Sequence, residues 1–323
     1  MKVTNDRFKD RQLHIQTDRL LEKILQPTNL NNAYEKVKSS KGAGGIDGMG
    51  VDELLPFLRD NQRQLIQRLK DGKYKPNPVR KVEIPKETKG EFRKLGVLTV
   101  VDRVFQQAIT QVLSPIYEGQ FSENSFGLRP KRGAQDALKQ CQQNVNDGYA
   151  YVVDMDLEKF FDTVCQSKLI EVISRNIKDG RVISLIHKYL NAGVISRGVF
   201  EKTETGMPQG GPLSPLLSNI MLNELDKELV RRGHRFVRYA DDCMIFCKSR
   251  KSAERTLGNI IPFIEGKLFL KVNRKKTSVA HISKQEIIYP SSRILRQFHG
   301  SVFISPSITS FCQFPYFIFH LCC

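Results

Sequence analysis

Phe236-Val237-Arg238-Tyr239-Ala240-Asp241-Asp242-Cys243-Met244-Ile245-Phe246 sets two adjacent acids between two apolar runs. Residues 236–239 and 243–247 each have the composition of a strand, so Ala240-Asp241-Asp242 predicts a hairpin with carboxylates at its tip. An Asp-Asp pair alone is more readily a plain turn, because both side chains can bond their own backbone. A second acidic stretch changes that balance. Tyr151-Val152-Val153-Asp154-Met155-Asp156 reads as a buried strand over 150–155 that delivers Asp156 beside another apolar run. By alternation Asp154 shares a face with Asp156, which leaves it either a support for its neighbour or an ordinary ion-pair partner. Carboxylates crowded at strand ends are costly unless a cation lies between them. Mg²⁺ prefers such hard oxygen ligands, and two ions about 3.5–4 Å apart can activate an attacking hydroxyl and stabilise a leaving pyrophosphate. The acids at 156, 241 and 242 therefore point to phosphoryl transfer.

Working outward, 212–230 predicts a long helix after a glycine-rich turn, and 157–164 a turn or short helix opened by Phe160 and Phe161. Toward the amino terminus, 100–117 has amphipathic helical spacing, 79–85 reads as a strand and 86–91 as a turn at Gly90. Lys41-Gly42-Ala43-Gly44-Gly45-Ile46-Asp47-Gly48-Met49-Gly50 is a loop able to approach another backbone closely. It lacks the strand-loop-helix context of a phosphate cradle. Two short helices, 18–26 and 31–39, precede it.

Length and charge agree with an enzyme acting on a polyanion. The 323 residues exceed one ordinary core and suggest two subdomains. With 51 Lys and Arg against 34 Asp and Glu, the formal charge is +17, which favours nucleic acid through counterion release. Residues 63–94 hold eleven Lys or Arg and four Asp or Glu, interleaved with Tyr74, Phe92 and prolines, and read as a phosphate track rather than one solvated helix face. Seven cysteines form no regular framework, which fits a reducing, cytoplasmic setting. Six charged residues among the first eleven exclude a signal peptide, and the apolar stretch 311–323 is too short and interrupted to span a membrane.

Asp156-Leu157-Glu158-Lys159-Phe160-Phe161-Asp162, Gly206-Met207-Pro208-Gln209-Gly210-Gly211-Pro212-Leu213-Ser214-Pro215 and Tyr239-Ala240-Asp241-Asp242, in that order, resemble the palm of reverse transcriptases. Further stretches narrow the resemblance to the group II intron reverse transcriptase/maturase family: Arg93-Lys94-Leu95-Gly96 with Asp102-Arg103-Val104, Asn124-Ser125-Phe126-Gly127-Leu128-Arg129-Pro130, and Leu270-Lys271-Val272-Asn273 with Lys275-Lys276-Thr277. The resemblance covers roughly residues 20–283. It implies an α+β right-hand fold, with fingers and a palm whose antiparallel sheet is backed by helices. On that plan 1–45 is a helical extension, 46–150 the fingers and 151–283 the palm.

The resemblance further implies two Mg²⁺ ions held by Asp156, Asp241 and Asp242 with the Leu157 carbonyl. It gives Phe161 as the aromatic against the sugar 2′ position, and Lys86, Arg93 and Gln209 as contacts to the incoming deoxynucleotide. Arg129, Asn273 and Lys276 are expected beside the template or primer backbone. The implied partners are an intron RNA template, a DNA or RNA primer and dNTPs; a homodimer stays open.

The pattern breaks after Ser283. A primer-supporting motif and a helical thumb are expected there, but from Gln297 onward the chain has no Asp, Glu, Lys or Arg. Residues 284–323 read as an aberrant tail in place of a thumb, and its charge-free, Phe-rich composition favours aggregation. Two outcomes follow from these features: an RNA-directed DNA polymerase, or a catalytically impaired maturase relic that binds RNA through its basic face alone.

Overall fold

A computed structural model describes residues 17–85 and 92–282. The chain opens with α1 (Leu20–Ile24), α2 (Pro27–Ser39) and α3 (Leu54–Lys70), followed by β1 (Val79–Pro85), β2 (Phe92–Val97) and α4 (Val100–Glu118). Next come α5 (Ala134–Asn146), β3 (Tyr151–Met155), α6 (Phe160–Thr163), α7 (Gln166–Asn176), α8 (Gly180–Leu190) and the hairpin β4 (Val194–Ser196) and β5 (Val199–Glu201). The rest is α9 (Ser214–Arg231), β6 (Arg235–Tyr239), β7 (Asp242–Cys247), α10 (Arg250–Lys267) and β8 (Ser278–His281). The fold is α+β, with two four-stranded sheets in two compact units that interleave along the chain.

The first unit takes the described residues up to 120 together with 166–217. Its sheet runs β2-β1-β4-β5 and is mixed: β1 pairs antiparallel with β2 and parallel with β4. Thr99 caps α4 by accepting from the Asp102 amide at 3.2 Å. Asp102 is wholly buried and accepts from the Tyr74 hydroxyl at 2.7 Å, the Thr99 hydroxyl at 2.7 Å and the Asn77 amide at 3.0 Å. Those donors satisfy both carboxyl oxygens, as a buried acid requires; burial nonetheless pushes its pKa up.

The glycine-rich loop packs where the α4 cap begins. Arg80 and Arg103 donate to the Gly44 and Ala43 carbonyls, and a side chain at Gly45 would lie 2.6 Å from the Thr99 backbone. Close backbone approach is thus what glycine supplies here. The basic stretch 63–94 divides between several elements. Its first part ends α3, with Arg63, Arg68 and Lys70 on the helix's exposed side.

The second unit comprises 121–165 and the described residues from 218, and its sheet, β6-β7-β3-β8, is wholly antiparallel. On one side Phe126, Ala137, Cys141, Val152, Val237, Met244 and Phe246 form a core that brings α5 onto the sheet. α10 packs against β3, β7 and β8, where the Cys247 thiol meets the Thr256 hydroxyl. Burial of both faces explains why β3 and β7 read as continuous apolar runs. No helix among the described residues is long and apolar enough to cross a membrane.

Candidate active site

β7 begins at Asp242, which pairs with Tyr239 across a two-residue turn, and β3 pairs with β7 so that Met155 lies opposite Cys243. One further step of that register sets Asp156 opposite Asp242. Residues 242, 244 and 246 on β7 and 152, 154 and 156 on β3 then share one face, because side chains alternate. Directly opposed residues on one face have Cβ atoms about 4.5–5.5 Å apart. The register thus directs Asp156 and Asp242, separated by 86 positions in sequence, to the same end of the sheet. Asp156, Asp241 and Asp242 are all half-buried.

Asp156 sits between β3 and the segment before β8. Its carbonyl accepts from the Asn273 amide at 2.9 Å, and its amide donates to the Thr277 hydroxyl at 3.2 Å. The Glu158 amide donates to the Lys271 carbonyl at 2.8 Å, and Leu157 bridges Val272. Burial raises the Asp156 pKa, against which the Lys276 charge and an Asn273 hydrogen bond act in the opposite direction. The Lys276 ammonium lies 4.0 Å from the carboxylate and is more than half exposed, so it compensates weakly. A half-buried carboxylate on this face, with Asp242 across the register and Asp241 beside it in the turn, supplies the hard oxygen donors that suit a divalent cation. Among the described residues no three His, Cys, Asp or Glu side chains already converge as a cage, so the fit rests on backbone register.

The turn itself is held from beneath. Ala240 has a φ of +57°, a left-handed conformation that side chains other than glycine avoid. Gly127 packs so closely that a Cβ there would lie 2.2 Å from the Ala240 nitrogen and 2.8 Å from the Tyr239 carbonyl carbon. The Arg238 guanidinium reaches the Ala240 carbonyl at 2.8 Å, while forming a buried fork with Asp226 at 2.8 and 2.7 Å. Arg238 escaped the sequence reading, although an arginine inside an apolar strand was a usable signal of a buried ion pair.

The remaining predicted site residues fall in several places. Phe160 is 2% exposed and Phe161 half-buried, their rings edge to face at 5.4 Å after a left-handed Lys159. Arg129 is buried, donates to the Ser122 and Ser125 carbonyls at 2.6 and 2.8 Å and lies over Phe121, so part of its donor capacity is used within the fold. In the first unit Gln209 occupies a turn docked on β2, its carbonyl accepting from the Gly96 amide at 2.7 Å. Gly210, at φ +121°, leaves no room for a Cβ against the Gly96 carbonyl. The same docking brings Gln209 to the strand that carries Arg93 opposite Ile84. Lys86 and residues 284–323 lie outside the described residues.

The family model described as reverse transcriptase (RNA-dependent DNA polymerase) matches residues 84–296, more than half of the chain. Protein YkfC of Escherichia coli (strain K12) is 34% identical over 328 residues, covering 89% of this chain and 85% of its own. The group II intron-encoded protein LtrA of Lactococcus lactis subsp. cremoris is 38% identical over 220 residues, 68% of this chain and 36% of that protein. A putative COX1/OXI3 intron 2 protein of Saccharomyces cerevisiae (strain ATCC 204508 / S288c) is 36% identical over 205 residues, 61% of this chain and 23% of that one. Among solved structures, a chain of a partial Cas6-RT-Cas1–Cas2 complex is 25% identical with a TM-score of 0.48, covering 77% of this chain and 43% of its own. The chain spans most of YkfC but little more than a third, or less, of the intron-encoded proteins.

Proposed function

Because the chain belongs to the reverse transcriptase family, in its group II intron maturase branch, we propose that it extends a primer by copying intron RNA into DNA. The observation that carries this is the β3–β7 register, which supports Asp156 and Asp242 sharing one site with Asp241. Reverse transcriptases use divalent metal ions; here two Mg²⁺ would lower the barrier to attack by the primer 3′-hydroxyl and neutralise charge on the departing pyrophosphate. Asp156, Asp241 and Asp242, together with the Leu157 carbonyl, are the groups that would hold them. The new bond joins the primer 3′-oxygen to the α-phosphorus, the bond from that phosphorus to the bridging oxygen breaks, and pyrophosphate leaves. Phe161 stands against the sugar and excludes a 2′-hydroxyl. Lys86, Arg93 and Gln209 bind the incoming nucleotide, the two cations through charge-assisted bonds to its phosphates. Asn273 and Lys276 combine support of Asp156 with contact to the template or primer backbone, and Arg129 shapes the loop below the turn. Residues 46–150 act as fingers and 151–283 as palm.

Primer extension on an RNA template with Mg²⁺ and dNTPs tests the assignment. Incorporation by the wild-type chain and none by Asp241→Asn is expected. Equal incorporation by both proteins removes the polymerase reading, and steeply salt-dependent RNA binding without incorporation identifies an RNA-binding relic instead.

A further inference from the structure

Tyr239-Ala240-Asp241-Asp242 must present two carboxylates from a turn whose first central residue is left-handed yet is not glycine. A two-residue hairpin of this kind ordinarily places glycine at that position, because a Cβ disfavours positive φ. Something must hold Ala240 there. Arg238 is fully buried and its three guanidinium nitrogens are all engaged. Nε and Nη2 grip the Asp226 carboxylate, Nη2 also donates to the Ser125 hydroxyl, and Nη1 donates to the Asn219 side-chain oxygen at 2.9 Å and to the Ala240 carbonyl. The Arg238 main chain is fixed as well, its amide donating to the Asn124 carbonyl at 2.8 Å and its carbonyl accepting from the Phe126 amide at 2.9 Å. Asn219 in turn donates to the Gly127 and Leu128 carbonyls, and Gly127 abuts the turn.

We infer that Arg238, oriented by Asp226 on α9, is the positioning residue that locks the Ala240 peptide and so aims Asp241 and Asp242 at the shared cation. It touches neither substrate nor ion. Its guanidinium is rigid and planar, so fixing two nitrogens on Asp226 fixes where the third points. Freed from that bond, the Ala240 peptide can leave the left-handed region and carry both carboxylates away from Asp156. The inference rests on the proposed metal-dependent reading and concerns how its ligands are set.

Mn²⁺ titration of the full chain without nucleic acid, followed by the electron paramagnetic resonance of free Mn²⁺, reads the ligand set independently of polymerisation. Arg238→Lys keeps a cation beside Asp226, but one ammonium cannot also reach the Ala240 carbonyl. It should stay folded by circular dichroism and bind Mn²⁺ about tenfold more weakly, the scale on which groups supporting metal ligands act. Adding Ala240→Gly to that variant should restore most of the affinity, because glycine adopts positive φ unaided. A purely structural Arg238 would instead lower the melting temperature while folded Arg238→Lys bound Mn²⁺ like the wild type, and that result overturns the inference. Should Arg238→Lys fail to fold, Asn219→Ala removes the acceptor that steers Nη1 and must also weaken Mn²⁺ binding; folded Asn219→Ala with wild-type affinity likewise overturns it. Wild-type protein whose Mn²⁺ binding is absent, or is unaltered by Asp241→Asn, removes the metal reading itself and the inference with it.

Discussion

Asp226→Asn removes one charge from a pair whose side chains are both 0% exposed, leaving the Arg238 guanidinium in a dry site. The amide is nearly isosteric, but only its oxygen can accept. Its nitrogen would face a guanidinium donor where a carboxylate oxygen now accepts at 2.7 or 2.8 Å. Breaking one partner of a fully buried pair costs about 3–5 kcal/mol, because the surviving charge has no water to return to. At about 2–4 °C per kcal/mol for a protein of this size class, the melting temperature should fall by about 10 °C. Urea unfolding followed by far-UV circular dichroism measures the loss, and amide exchange localises it to 121–128, β6 and α9. Glu254→Gln, which breaks an exposed pair with Arg250 on α10, supplies the comparison and should change stability by less than about 0.5 kcal/mol. A loss below about 1 kcal/mol in Asp226→Asn would refute the reasoning, since the buried pair would then be worth no more than surface ones.

Asp156 has a folded pKa raised by burial, so its ionisation opposes folding: the contribution is favourable below the unfolded pKa and is lost as pH rises through the folded value. Asp156→Asn should therefore raise the melting temperature at neutral pH without added metal, with the gain shrinking as pH falls through that raised pKa, as thermal unfolding across a pH series will show. Gly127→Ala forces a Cβ to within 2.2 Å of the Ala240 nitrogen and should destabilise the second unit by about 3 kcal/mol in urea unfolding. Phe161→Val opens the proposed sugar gate and should raise ribonucleotide relative to deoxyribonucleotide incorporation at least about tenfold in single-nucleotide extension, dNTP use persisting; an unchanged ratio removes Phe161 from that role.

Several features were legible because their causes are local. Continuous apolar runs interrupted by acids marked β3, β6 and β7, and the sequence bounds for β1 coincide with the observed Val79–Pro85. The mixed sheet of the first unit was not legible, because β4 and β5 are three residues each and β4 reaches β1 in parallel from more than a hundred positions away. Nor could linear boundaries reveal that 166–217 clusters with the described residues up to 120. At the site, residue type and order pointed to Asp156, Asp241 and Asp242, but the groups that orient them stayed hidden. Arg238 and Asp226 are twelve positions apart on different elements, and Asn273 meets Asp156 only through a pairing that joins distant segments. The structure also gives Asn273 and Lys276 an internal role that charge and order could not indicate, as partners of the Asp156 carboxylate.

A double-mutant cycle on Mn²⁺ affinity, with Asp156→Asn, Asp242→Asn and the pair together, asks most directly whether one ion draws on both strands. Shared ligation predicts that the double variant binds no more weakly than the worse single variant, so the two losses fail to add. Losses that add in full, as for groups with no common partner, would place the two carboxylates at separate sites and contradict the account.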